Sequence, residues 1–240
     1  FFLIEIIDLK NVKKIFNQCN LQIKKIISKS FIECAALTNQ MPKNGTFFKI
    51  KIDKKNSKIF FFENSSLKYI QEFKFGSEIV LDDVSKITGL NVEIVKNILK
   101  DTNPNNEITE NETVEKKFFE GSNFRKIKKK LIFDIAKARI QEMSEIILVN
   151  NINIKNLINK KSLINLKVID DVSSKYFKEN YKLYFSNKGD FEINFLENNT
   201  FEDIYEHANR IVQYGWKKEA IPIIHQKKSI ISRFFNLFFK

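Results

Sequence analysis

Few residues in this chain have the types and spacing that chemistry needs. His207 and His225 are the only histidines, a helix and a linker apart, and neither stands at metal-ligand spacing from Cys19 or Cys34, the only cysteines. Two cysteines also exclude a disulfide scaffold and a four-thiolate zinc site. Asp82-Asp83 and Asp170-Asp171 are the paired carboxylates. Adjacent residues on a helix point apart, and compensation of a helix dipole explains Asp170-Asp171 more simply than a metal does. Glu93 and Lys96 share a helix face at i,i+3, where a surface ion pair is the plain expectation. Lys126 to Lys130 places cations at a helix start, where the dipole disfavours them. The cluster is either a solvated face or a dock for an acidic peptide. Arg139 is one of only four arginines against 37 lysines, which suggests that its planar fork is used. Phe60-Phe61-Phe62 reads as a buried strand before a stacking platform.

These side chains sit in a chain of 240 residues, 43% hydrophobic and 29% charged, with net charge +12. That is enough for a core in one or two domains and excludes a wholly disordered chain. No uncharged apolar run approaches the ~18 residues of a membrane-crossing helix. Phe1 to Ile7 is apolar, but Lys10 follows it where a secretory leader would have a basic segment before it. The first residue is Phe rather than Met, so a fragment is expected. Lysine, 27 asparagines and 24 phenylalanines, against six glycines and three prolines, match A/T-rich codons. The positive charge is spread along the chain and poor in the arginine that grips phosphate, so no nucleic-acid partner is expected.

The elements that must position these residues follow from periodicity and punctuation. Strands are expected at Phe1 to Ile7 and Leu21 to Ile27, with helices at Leu9 to Cys19 and Ser30 to Thr38. A turn at Met41 to Gly45 leads into three β segments, Thr46 to Ile52, Lys58 to Glu63 and Leu67 to Phe75; Lys49 to Ile52 alternate as a half-exposed strand does. Ser77 to Thr88 and Asn91 to Lys100 read as helices, Val114 to Phe119 as a weak strand, and Asn123 to Leu148 as the longest helix. Then come a strand at Ile164 to Ile169, a helix at Asp171 to Asn180, short strands at Lys182 to Phe185 and Phe191 to Phe195, and a helix from Thr200 to Tyr214. This order makes the class α/β. The last segment, Lys227 to Lys240, is an amphipathic helix whose apolar face holds Ile230, Ile231, Phe234, Phe235, Leu237, Phe238 and Phe239, with Arg233 on its polar stripe.

The chain resembles the C-terminal half of the FtsA family of bacterial cell-division proteins, within the actin/Hsp70/sugar-kinase superfold. The resemblance rests on Ile59-Phe-Phe-Phe-Glu-Asn-Ser-Ser-Leu-Lys-Tyr69, then Phe75-Gly76-Ser77 and Asp82-Asp83-Val84. Leu9-Lys-Asn-Val-Lys-Lys running on to Cys19-Asn-Leu21, Glu93-Ile-Val-Lys96, Ala138-Arg139-Ile-Gln-Glu142 and the amphipathic tail complete it. It implies the second large domain of an actin-like (ribonuclease H-like) fold over 1–215. The inner subdomain would be 1–80 with 165–215 and the outer helical one 81–164, followed by a linker at 216–226 and a membrane helix at 227–240.

The resemblance also implies a nucleotide site at Lys51, Asp53, Gly76, Ser77, Glu93 and Lys96. Where the family has Asp-Ile-Gly-Gly-Gly-Thr-Thr-Asp, this chain has Lys51-Ile-Asp-Lys-Lys-Asn-Ser-Lys58. Glycines let backbone N–H groups approach phosphate, and the leading carboxylate holds the metal or its water. Lys51 could pair with phosphate in place of Mg²⁺ but cannot hold it, and Lys167 to Ser173 contains no glycine for an adenosine loop. The site reads as degenerate: no cofactor is expected, although the family's relatives bind ATP. The implied function is a non-enzymatic adaptor at the division site. It would tether the tubulin-like polymer FtsZ to the cytoplasmic face of the cell membrane and help assemble the septal ring. The FtsZ C-terminal peptide would dock at Lys126, Lys130, Arg139 and Glu142, the tail would meet anionic lipid, and actin-like filaments would form by self-association. The alternative is an ATP-binding actin-like filament protein or ATPase, and less so a lysine-rich nucleic-acid binder.

Overall fold

A computed structural model describes residues 5–38, 46–101, 111–119, 124–158, 162–169, 174–188, 191–197 and 201–216. The described helices and strands are α1 (Ile6–Gln18), α2 (Lys29–Thr38), β1 (Phe47–Ile52), β2 (Ser57–Glu63), β3 (Ser66–Phe73), α3 (Ser77–Thr88) and α4 (Val92–Asp101), then α5 (Lys129–Ser144), β4 (Leu163–Val168), α6 (Ser174–Lys188), β5 (Glu192–Phe195) and α7 (Phe201–Tyr214). They divide into two compact units, Phe1–Met41 with Asn199–Lys240, and Pro42–Asn198.

The larger unit is built on one five-stranded sheet in the order β3-β2-β1-β4-β5. β1 and β2 pair antiparallel, as do β2 and β3, while β4 runs parallel to β1 and β5 parallel to β4. One strand, β2, therefore opposes the other four. This is the α/β, actin-like (ribonuclease H-like) arrangement that the resemblance implies. Alternation along β1 sends Phe48, Ile50 and Ile52 to one face, where Ile59, Phe61, Ile164, Leu166 and Val168 join them. Val80, Leu81 and Val84 of α3, Ile132, Phe133, Ala136 and Ile140 of α5, and Phe177, Tyr181 and Phe185 of α6 belong to the same buried cluster. Apolar burial of this kind contributes ~1.5–3 kcal/mol per large side chain and is the main stabilising term.

The opposite face differs from expectation. Phe47, Phe60 and Phe62 are buried there too, Phe47 stacks on Phe62 with centroids 5.2 Å apart, and Lys49 is only 2% exposed. The lysine is accommodated because its stem is apolar and its ammonium lies over the Phe60 ring, 5.4 Å from the centroid. The lysines of this strand thus mimic the pattern of a half-exposed strand without marking a solvated face.

Other expectations are corrected. From Ile6 onward the first apolar run is helix α1, with Ile6 and Ile7 each 69% exposed. A strand needs a neighbour to satisfy its backbone, and a helix does not. Leu21 to Ile27 is neither helix nor strand and pairs with nothing described. Val114 to Phe119 is a single bridge, Thr113 to Lys128, followed by a 3-10 turn at Lys116–Phe119. That bridge also delays the long helix. The Val114 N–H donates to the Ile127 carbonyl (2.8 Å) and the Lys129 N–H to the Glu112 carbonyl (2.9 Å), so residues 124–128 are not helical and α5 opens at Lys129 rather than Asn123. It ends in a π-helical turn, Glu145–Val149. Lys182 to Phe185 is not a strand but part of α6, whose Phe177, Tyr181 and Phe185 recur every four residues on the buried side.

The smaller unit holds α1, α2 and α7. α1 buries no residue, whereas Ile32, Cys34, Ala35 and Leu37 of α2 are buried and Trp216, just past α7, meets Phe31 edge to face at 5.5 Å. The expected tail, with Ile230, Ile231, Arg233, Phe234, Phe235, Leu237, Phe238 and Phe239, lies outside the described residues, as does Asp170-Asp171.

Candidate nucleotide and partner sites

The turn between β1 and β2 and the start of α3 form one structure. The Asp53 N–H donates to the Asn56 carbonyl (2.8 Å), which closes the turn. The Ser77 N–H then donates to the Asp53 carbonyl (3.0 Å) and the Glu78 N–H to the Lys54 carbonyl (2.9 Å). Two of the four N–H groups that a helix start leaves open are thereby satisfied by protein. Ser57 Oγ donates to the Phe75 carbonyl (2.7 Å) and ties the other end of the turn to the strand that leads into the helix. Gly76 makes this packing possible. A Cβ there would lie 2.1 Å from the Asp53 carbonyl oxygen and 2.5 Å from that of Lys54.

Sequence reasoning placed Lys51, Asp53, Gly76 and Ser77 together, and the structure brings them together. Their chemistry is specific. Lys51 Nζ pairs with Asp53 Oδ2 at 2.8 Å, so the cation standing where the resemblance implies a metal-holding carboxylate is met by a carboxylate of its own turn. The turn carbonyls of Asp53 and Lys54 take up helix-start donors that a phosphate would need. Ser77 Oγ is fully buried and has no hydrogen-bond partner among the described residues. Glu93 and Lys96 pair with each other at 2.6 Å on α4, which opens with the Glu93 N–H donating to Asn91 Oδ1 (2.9 Å). Among the described residues, no group of three or more His, Cys, Asp and Glu could hold a metal ion.

The second candidate region lies on α5. The Arg139 fork is engaged within the fold: Nε and Nη2 both meet Asp83 Oδ2 on α3, and Nη1 meets Glu142 Oε2 at 2.6 Å. Asp83, read as half of a possible metal pair, is thus the ion-pair partner that joins two helices. Lys126 and Lys130 are exposed, and between them Lys129 pairs with Glu112 at 2.6 Å. Two further lysines lie over rings, Lys116 over Phe124 and Lys117 over Phe118. Glu115 is held below its usual range, first by its hydrogen bond from Lys117.

Two clusters escaped sequence reasoning. Asn151 Nδ2 donates to Gln71 Oε1 (2.8 Å), which also accepts from the Tyr69 hydroxyl (2.7 Å), so the π-helical turn is pinned to β3. Glu145 in that turn accepts from the Tyr184 hydroxyl at 2.5 Å and from Gln141 at 3.2 Å. These bonds hold its carboxyl below the usual range, while burial first, and the hydrogen bond to Glu145 second, push Tyr184 up to about 12. Burial pushes Tyr176 and Tyr181 up as well. Residues 80 and 39 positions apart leave no local pattern to find.

No protein-family model and no curated protein sequence matches the chain. Solved structures do. MreB 5 of Spiroplasma citri bound to AMPPNP is similar at 11% identity and TM-score 0.49 over 87% of this chain and 65% of that one. Component A of (R)-2-hydroxyglutaryl-CoA dehydratase from Acidaminococcus fermentans is similar at 12% and 0.41 over 81% and 70%. The psk41 ParM protein in its apo form is similar at 12% and 0.45 over 78% and 50%. At these identities the likeness is one of fold, and the chain spans half to about two thirds of these proteins.

Proposed function

We propose that this chain is an actin-like assembly module that works without magnesium-dependent nucleotide turnover, as an adaptor joining an FtsZ-type polymer to a membrane. The observation that carries the first half is the closed turn, with Lys51 paired to Asp53 and the α3 N–H groups of Ser77 and Glu78 bonded to turn carbonyls. Phosphate binding of the usual kind needs those donors free and a carboxylate free for the metal. The adaptor half is supported by the resemblance, by exposed Lys126 and Lys130 for an acidic peptide, and by the apolar sequence of Lys227 to Lys240 for a lipid surface. Peripheral attachment on the cytoplasmic side and self-association into filaments belong to the same proposal.

A second reading is an ATP-binding actin-like filament protein. The buried, unpartnered Ser77 hydroxyl at the helix start favours it, as a polar group that a ligand could satisfy. The solved neighbours also go with this reading more readily than with a division tether, one of them having been solved with AMPPNP. Titration calorimetry with ATP, with and without Mg²⁺, separates the two. Little or no heat is expected. A dissociation constant tighter than ~10 μM, about 7 kcal/mol of binding, that depends on Mg²⁺ would overturn the first reading and establish the second.

A further inference from the structure

We propose that the smaller unit carries a binding site of its own, between α2 and α7, for a small organic anion with a flat apolar body. A cavity of about 230 Å³ lies there. By the share of liquid volume that one water takes, this is room for roughly eight waters or one substituted ring. Its floor is apolar, from Ala35, Ile211 and Trp216, and His207, Arg210 and Tyr214 line the rest with Ala36 and Gly215. The construction is local. His207, Arg210 and Tyr214 recur at i, i+3 and i+7 and so share one face of α7. The small side chains of Ala35 and Ala36 leave the space on the α2 side. Gly215 takes φ 74°, a conformation that favours glycine, and this turn sets Trp216 beside the cavity, 8% exposed and edge-on to Phe31.

The polar groups point to the charge of the ligand. His207, Arg210 and Tyr214 have no hydrogen-bond or ion-pair partner among the described residues. Glu206, one turn before Arg210, does not pair with it. Arg139, by contrast, is fully engaged by two carboxylates. Arginine is rare in this chain, and an unengaged guanidinium fork beside a tyrosine hydroxyl and an imidazole fits the planar geometry of a carboxylate or a phosphate. The ring of Trp216 and the apolar side chains of Ala35 and Ile211 fit an aromatic or similarly planar body. None of these residues belongs to the β1–β2 turn or to α5.

The chain has a single tryptophan, so its intrinsic fluorescence reports on this cavity. The full chain is titrated with phenyl phosphate and with benzoate, which share the chemistry and differ in the anionic group; phenol and inorganic phosphate supply each half alone. A saturable change in Trp216 fluorescence is expected with at least one of the two anions, and the tighter one identifies the group. Phenol and inorganic phosphate should each bind at least about tenfold more weakly. Arg210→Gln should weaken the anion about tenfold, the loss of one charge-assisted contact. Its melting temperature should not change, because Arg210 is exposed. Ala36→Leu, which fills the space from the other helix, should abolish the response. No saturable change with either anion, phenol binding as well as the anions, or an unaltered titration in Arg210→Gln would each overturn the proposal.

Discussion

Gly76→Ala isolates the contact between the β1–β2 turn and the start of α3. The backbone at Gly76, φ −148° and ψ −160°, is extended and open to any residue, so alanine meets no torsional strain there. The whole cost is steric. The new methyl would lie 2.1 Å from the Asp53 carbonyl oxygen, 2.5 Å from that of Lys54 and 2.6 Å from the Lys54 carbonyl carbon. An ordinary carbon–oxygen contact is roughly 3.3 Å, so the turn must retreat by about 1 Å. The bonds from the Ser77 and Glu78 N–H groups, 3.0 and 2.9 Å, would then open. Two such bonds are worth ~1–3 kcal/mol net, and forcing a methyl into a packed site costs a further ~1–3 kcal/mol. Gly76→Ala should therefore destabilise the larger unit by ~2–6 kcal/mol, read as a fall in the urea midpoint of the far-ultraviolet circular dichroism. Two controls give the number meaning. Asp53→Ala keeps the carbonyl and removes only a half-exposed ion pair, so it should cost no more than ~1 kcal/mol. Gly89→Ala meets only the movable Arg125 side chain at 2.7 Å, and its φ of 70° should cost ~1–2 kcal/mol. A Gly76→Ala protein no less stable than Gly89→Ala would refute the claim that the turn is seated on the helix start.

Four further outcomes are expected. Asp83→Asn and Arg139→Gln should each lower stability, and the double variant should lose less than the two added together, because the pair is one interaction; additivity in a double-mutant cycle would sever α3 from α5 at this point. Arg139 is already engaged by Asp83 and Glu142, so Arg139→Ala should change the affinity for an acidic FtsZ-type peptide by less than ~1 kcal/mol, the scale of an exposed ion pair, and a larger loss by calorimetry would return the arginine to the proposed dock. Stability should fall as pH rises above about 10. Unfolded tyrosines ionise freely there, while folded Tyr176, Tyr181 and Tyr184 are held neutral to higher pH, so stability is complete below the unfolded pKa and lost above it. Tyr184→Phe should flatten part of that fall in alkaline denaturation, and an unchanged curve would exclude the residue. Full-length protein should pellet with anionic vesicles, and a chain ending at Gln226 should not; equal pelleting would take the tail out of the mechanism.

The three β segments before Gly76 and the two helices after it were legible because each carries its own signals. Turn residues bound the strands, Gly89 ends a helix in the left-handed conformation, and Asn91 caps the next. What failed did so where the deciding partner is distant. Ile6 and Ile7 look like a strand until no neighbour is found for them. Residues 124–128 look like the start of a helix until Glu112 and Val114 claim their backbone. Lys182 to Phe185 is too short a window to separate a period of two from one of 3.6. At the candidate sites, residue types were enough to raise the expectation of an altered phosphate loop. They did not show that Asp53 answers Lys51, or that Asp83 takes the arginine reserved for a partner, because ion pairing is decided in three dimensions.

The place of β1 has a consequence for the growing chain. β1 can pair with β2 as soon as Glu63 is made, but its other side waits for β4, which is not complete until Val168. From Ile52 to Leu163 the ribosome needs roughly 5–20 s at ordinary rates. Throughout that interval the middle of the future sheet is a raw border, flanked by phenylalanines and ready to zip onto another nascent chain. Charged residues, lysine above all, are what natural proteins place on such borders. Lys49 and Lys51 stand on this one. A lysine that is awkward to bury in the finished protein is thus an asset to the half-made one.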